Sequence, residues 1–139
     1  MLKRIVSVGA VMAGLLALMT PAAHADTPTT NHELGRQYGN VFRATLTENA
    51  DGSGNWIKVY GSSPCSATIT DRDNVIRVVP PGWNDAISRV YDSAACLTKL
   101  YLNGGADPDD TQTGWIDGGS AGVYVGPNWD NKASSFALS

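Results

Sequence analysis

From Val41 onward the chain alternates between short runs rich in Val, Ile, Thr, Tyr and Trp and clusters rich in Gly, Pro, Asn and Asp. The runs are "VFRATLT", "NWIKVYG", "SATITD", "NVIRVV", "AISRVYD", "CLTKLYLN", "TGWIDG", "AGVYVG" and "SSFALS". β-branched and aromatic residues in pieces of this length predict strands. The intervening "ENADGSG", "GSSPC", "DRDN", "PPGWND", "NGGADPDD" and "GPNWDN" are turn chemistry. Strands recurring about every ten residues predict an all-β sandwich or barrel.

One stretch also fits a helix. In "WNDAISRVYDSAACLTKLYLNGG", Trp83, Ile87, Val90, Tyr91, Ala94, Leu97 and Tyr101 follow the three-four spacing of an amphipathic face. Asn84 or Asp85 would cap that helix and Gly104 would end it. The chain itself argues against this. The opening "WNDAISRVYDS" (Trp83–Ser93) is echoed by "WDNKASSFALS" (Trp129–Ser139), 46 positions on. A repeated phrase implies a repeated unit. The second copy is too short for a stable helix, so only strands suit both.

The repeated phrase also carries chemistry. Each copy sets one Asp and one Asn beside each other, Asn84/Asp85 and Asp130/Asn131, with a hydroxyl following at Ser88 or Ser134. Hard cations such as Ca²⁺ take six to eight oxygens from carboxylates, amides, hydroxyls and carbonyls, and an arched loop of this composition offers several. The leading Trp would anchor the arch. The competing reading is plain turn capping, in which Asn, Asp and Ser bond their own backbone.

At this point the chain resembles the βγ-crystallin superfamily, which repeats Asn/Asp, Asn/Asp, two variable residues, Ser/Thr and Ser once per Greek key. "DNKASS" (Asp130–Ser135) matches all six positions, and "NDAISR" (Asn84–Arg89) matches five, with Arg89 at the sixth. "IKVYGSS" and "TKLYLNGG" look like the strand and hairpin preceding each motif. The resemblance implies an all-β domain of two Greek keys forming a βγ-crystallin-like β-sandwich with a pseudo-twofold axis. The Ca²⁺ ligands it implies would be Asn84, Asp85, Ser88, Asp130, Asn131, Ser134 and Ser135. "DNKASS" would work with the hairpin near Gly61 and Ser62, and "NDAIS" with that near Leu102 and Asn103. Arg89 would set a positive charge close to the first site, and the Glu common after the hairpin Tyr is missing at Gly61 and Leu102. Binding is therefore expected to be weak, with the second motif the better preserved. Within the superfamily the chain is most similar to small secreted actinobacterial proteins of the killer-toxin-like and antifungal type, thought to bind cell-wall polymer rather than to catalyse.

Composition and charge narrow the field. Lys3 and Arg4, the apolar run "IVSVGAVMAGLLALM" and the small residues of "AHA" predict a signal peptide over residues 1–25. No membrane span is expected, since the apolar run is short and polar "DTPTTNHE" follows it. Cleavage would shift the formal charge from −3 to −5 by removing Lys3 and Arg4. An acidic chain without basic runs argues against nucleic acid and anionic membranes as partners. Residues 26–40 read as a loose N-terminal segment, and 41–139 as the folded domain, with keys over about 41–95 and 96–139. Export makes a disulfide between Cys65 and Cys96 the default, stabilising by about 3–4 kcal/mol in the chain-entropy picture.

No catalytic constellation emerges, and the chain is expected not to be an enzyme. His32 lies in the loose segment, away from any triad. "ADPDD" (Ala106–Asp110) is a Pro-broken loop rather than a pair of glycosidase acids. "TENADGSGNWIK" has Thr and Lys58 where an EF-hand needs acids. Trp56 and Trp115 are candidate carbohydrate contacts if exposed, and core or sheet-face packing if not. The expectation is a secreted monomeric binding module whose partner is a cell-wall polysaccharide or surface protein. The alternatives are a calcium-binding structural or stress module and a secreted proteinase inhibitor, whose reactive loop would be "NGGADPDDTQTG".

Overall fold

The computed structural model describes residues 29–66 and 68–139; the expected signal peptide lies outside them. Eight strands are present: β1 (His32–Leu34), β2 (Val41–Thr47), β3 (Trp56–Gly61), β4 (Asn74–Ile76), β5 (Arg89–Asp92), β6 (Thr98–Tyr101), β7 (Val123–Tyr124) and β8 (Ser135–Leu138). They form a five-stranded sheet in the order β1-β3-β2-β5-β7 and a three-stranded sheet in the order β4-β8-β6. Among the described residues no helix is long and apolar enough to cross a membrane.

The order is that of two interlocked Greek keys. In the first, β5, β2 and β3 lie side by side while β4 crosses to the other sheet; in the second, β8 and β6 lie side by side while β7 crosses back. The remaining strand of the second key is reduced to two bridges, Tyr101 to Gln112 and Thr98 to Ile116. This is the all-β, two-key sandwich that the resemblance implied, and it excludes the helix over 83–104, which β5 and β6 occupy as strands.

Strand alternation makes the core. Ala44 and Leu46 of β2, Ile57 and Val59 of β3, Val90 of β5, Leu100 of β6, and Phe136 and Leu138 of β8 are fully buried between the sheets, with Trp83, Ile87 and Ala133 of the arches. Burying a large apolar side chain stabilises by about 1.5–3 kcal/mol. Tyr101, Ala106 and Ala137 form a second, smaller cluster, against which Trp115 packs.

Polar groups tie the layers at two points. A register shift between Phe42 and Ala44 turns Arg43 inward. Its guanidinium reaches the carbonyls of Ser63 and Asp73 and the side chain of Asn74, linking β2 to β4. A Cβ at Gly61 would lie 2.4 Å from the guanidinium, so a larger residue there would push Arg43 off these bonds. Asp92 of β5 accepts from Thr98 Oγ1 of β6 at 2.5 Å and from the Gly118 amide at 2.8 Å. The Cys65–Cys96 disulfide is formed, with 5.0 Å between Cα atoms.

Three expectations change. The stretch 26–40 is not loose from Thr29 onward: β1 pairs in parallel with β3, matching His32 to Ile57 and Leu34 to Val59. The Asn31 side chain accepts from the Trp56 amide, and Thr30 O accepts from Trp83 Nε1 at 2.8 Å. The described residues of "SATITD" form no strand, and Ile69 is exposed. "TGWIDG" contributes only the bridge at Ile116.

Candidate functional site: two rims between the arches

The two arches share one backbone. Asp85 and Asn131, the second residue of each motif, take positive φ of 58° and 55°, a conformation that Asn and Asp tolerate better than most residues. Trp83 N bonds Pro80 O and Trp129 N bonds Gly126 O; Ala86 N bonds Trp83 O and Lys132 N bonds Trp129 O; Val79 N bonds Ser134 O and Val125 N bonds Ser88 O. Each residue in this set has its mate 46 positions on. The arches also clasp each other reciprocally: Asp85 N donates to Ala133 O at 3.1 Å and Asn131 N to Ile87 O at 3.2 Å.

That clasp assembles side chains from both copies. Ser88 Oγ lies 2.5 Å from Asp130 Oδ1 and 3.2 Å from Asn131 Oδ1. Tyr124 stands beside the same carboxylate; burial and then Asp130 push its hydroxyl above the usual phenol range. Ser88 N bonds Thr47 O, so this first rim adjoins the β2–β3 hairpin. At the second rim, Ser134 N bonds Tyr101 O, beside the hairpin that begins at Leu102. The first arch meets it through backbone, Asp85 N donating to Ala133 O, while its side chains bond each other, Asn84 Nδ2 donating to Asp85 Oδ2 at 2.9 Å.

The hairpin assignment made from sequence needs correction at the first rim. Thr47 pairs with Arg89 and Tyr101 with Ser135, so β2, not β3, corresponds to β6. Gly61 and Ser62 sit at the other end of β3, where Gly61 pairs with Val41. The hairpin that meets Ser88 and Asp130 follows Thr47. The Glu thought missing is present there as Glu48, whose carboxylate accepts from Thr29 and Asn55; the Thr29 bond above all holds it below the usual carboxylate range. The overlooked signal was "TLTE" in the first predicted strand, hidden because Thr replaces the expected Tyr.

The sixth motif position has a different role from the one expected. Ser135 is fully buried, donates to Asn103 O at 2.6 Å and accepts from Ala106 N at 2.9 Å, fastening the second hairpin. Arg89, its mate, fastens the first: its guanidinium donates to the carbonyls of Ala50, Ala121 and Gly122 at 2.9–3.1 Å. The charge at Arg89 is thus directed to one hairpin carbonyl and two carbonyls of the loop before β7, and Ser135 is occupied in supporting the second hairpin.

The first rim brings together one carboxylate, one amide oxygen and one hydroxyl, and the second carries the same residue types in Asn84, Asp85 and Ser134. No cluster of three or more His, Cys, Asp or Glu occurs among the described residues, so a metal held here would need mostly neutral oxygen ligands. That donor set fits a hard cation and suits thiophilic or imidazole-seeking metals poorly.

The aromatic candidates separate. Trp115 is half-buried against the second cluster, with Lys99 Nζ 4.7 Å above its ring. Trp56 stands half-buried on the outer face of the five-stranded sheet, with Lys58 Nζ 4.2 Å above its ring.

No family model matches the chain, and no curated protein matches it. Among solved structures, the chain is similar to one titled the crystal structure of the N-terminal domain of protein S, at 20% identity and a TM-score of 0.43, over 70% of this chain and 94% of that one.

Proposed function

We propose that the chain is a non-catalytic β-sandwich module whose two rims take up Ca²⁺ weakly and are stiffened by it. One observation carries this reading: a hydroxyl of one arch is set against the carboxylate and amide oxygens of the other, 42 and 43 residues away. Ser88, Asp130 and Asn131 would hold the ion at the first rim, and Asn84, Asp85 and Ser134 at the second, with hairpin carbonyls and water completing the shell. An ion there neutralises the single carboxylate and crosslinks the two keys. Extracellular sites with few carboxylates bind at roughly 10⁻⁴–10⁻³ M. At about 10 mM Ca²⁺ that affinity adds about 1.4–2.7 kcal/mol per rim, or about 5–10 °C in melting temperature per rim for a domain of this size. Thermal melts in Ca²⁺ and in chelator test it: the wild type should show the shift and a Ser88→Ala, Asp130→Asn variant should lose about half. An unchanged wild-type midpoint rules the reading out.

A second reading, a secreted module of the killer-toxin-like type that binds a cell-wall or surface partner, is favoured by the half-exposed aromatic side chains on the outer face of the five-stranded sheet. Retention on insoluble wall polymers tests it.

A further inference from the structure

The outer face of the five-stranded sheet holds a groove whose shape follows from strand register. On β2, the middle strand, Thr45 is flanked by Lys58 of β3 and Tyr91 of β5, and Thr47 by Trp56 and Arg89. Paired residues point to the same face. Short threonines on the central strand thus lie between long side chains on both neighbours, leaving a valley along β2. Phe42 closes one end, with its ring 5.8 Å from that of Tyr60 in an edge contact. The groove has a volume of about 430 Å³ and is lined by Trp56, Tyr91 and Phe42 together with the hydroxyl-bearing Thr45, Ser93 and Ser120. That size lies within the range of small-ligand sites.

Two glycines keep it in shape. A Cβ on Gly52 would come within 1.9 Å of the Tyr91 hydroxyl, and one on Gly122 within 2.3 Å of its ring. Tyr91 therefore lies wedged between two side-chain-free positions, fixed rather than free to swing into the valley.

The lining chemistry selects the occupant. Charge is turned away from the valley: the Asp92 carboxylate accepts inward from Thr98 and Gly118, and the Arg89 guanidinium is held by three carbonyls. An ionic ligand finds no free counter-charge among the residues that line it. A peptide adding to the sheet would need a free strand edge, and β2 is bonded on both sides. What suits aromatic walls and a hydroxylated floor whose lining charges are already engaged is a chain of neutral sugar rings, whose C–H faces pack on aromatic rings while their hydroxyls meet Thr and Ser.

We propose that this valley, walled by Trp56 and Tyr91 over Thr45, binds a segment of neutral polysaccharide in the extended, β-1,4-linked form that can lie straight along β2. The proposal rests on the wall-binding reading above and gives it a site. The probes are soluble hexamers of β-1,4-linked N-acetylglucosamine and of β-1,4-linked glucose, titrated by tryptophan fluorescence and isothermal calorimetry, with and without Ca²⁺. The wild type should bind at least one. Trp56→Ala should weaken binding at least tenfold, and Thr45→Tyr, which fills the valley floor at a position suited to a strand, should do the same while keeping the melting temperature. Trp115→Ala should bind as the wild type does. If the wild type binds a probe and both groove variants bind it equally well, the site is wrong and the wall-binding reading stands. If the wild type binds neither at millimolar concentration, the proposal falls and the reading loses its support.

Discussion

The first and second arches have nearly the same backbone and very different surroundings. Trp83 is completely buried and donates to Thr30 O from the N-terminal segment. Trp129 is only half-buried, beside Leu102, Thr111 and Lys132. The sixth motif position is a long cation in one copy and a small hydroxyl in the other, yet both fasten a hairpin carbonyl. The arch geometry is therefore local, fixed by a residue that accepts positive φ and a few backbone bonds. The support beneath it is free to diverge.

The largest effect should separate the tryptophans. Trp83→Ala empties a site enclosed by the core and should destabilise by about 3–5 kcal/mol. Trp129→Ala, which removes a partly solvated ring, should cost less than half as much in chemical denaturation. Equal losses would mean that the N-terminal cover contributes nothing.

Next comes the mate pair Asp92 and Leu138, both buried at equivalent places. Burial pushes the Asp92 carboxyl up to about 6, against the lowering effect of its bonds to Thr98 and Gly118. With a folded pKa above the unfolded 3.8, the folded chain holds a proton between those values that the unfolded chain has released. This group's extra stability is therefore fully present below about pH 4 and is lost as pH rises through 6, up to about 3 kcal/mol in all. Asp92→Asn keeps an acceptor for Gly118 and a polar partner for Thr98. It should flatten stability between pH 4 and 7 and raise it at pH 7, as followed by denaturant melts at each pH.

The smallest effect concerns the arches themselves. Asp85→Gly and Asn131→Gly should be close to neutral, while Asp85→Ala and Asn131→Ala should each cost about 1 kcal/mol, because Ala resists positive φ. A clear difference between the two arches would show that support, rather than local backbone, sets their shape.

The repeated phrase made much of this legible in sequence. Trp, the Asx pair and Ser at fixed offsets identified both arches and rejected the helix, since local backbone chemistry is written in a few adjacent residues. Partnership across the chain was harder to read. Nothing local in "TTNHEL" signals a parallel strand, because its pairing is provided by the edge of β3 and the side chain of Asn31. The hairpin of the first rim was assigned to the wrong strand because Tyr60 and Tyr101 look alike, whereas register equates Tyr101 with Thr47. Arg89 read as a charge beside a cation site, and only geometry shows its guanidinium spread across three carbonyls.

The exchange of β4 and β7 between the sheets has a kinetic consequence. β8, last of the eight strands in chain order, is the middle of the three-stranded sheet, so β4 and β6 have no ladder between them until it arrives. Such long-range pairing is slow to nucleate. In a half-made chain β2, β3 and β5 can already pair, but the sheet that receives β4 closes only when β8 arrives, so the two keys should be completed together, in a single late event.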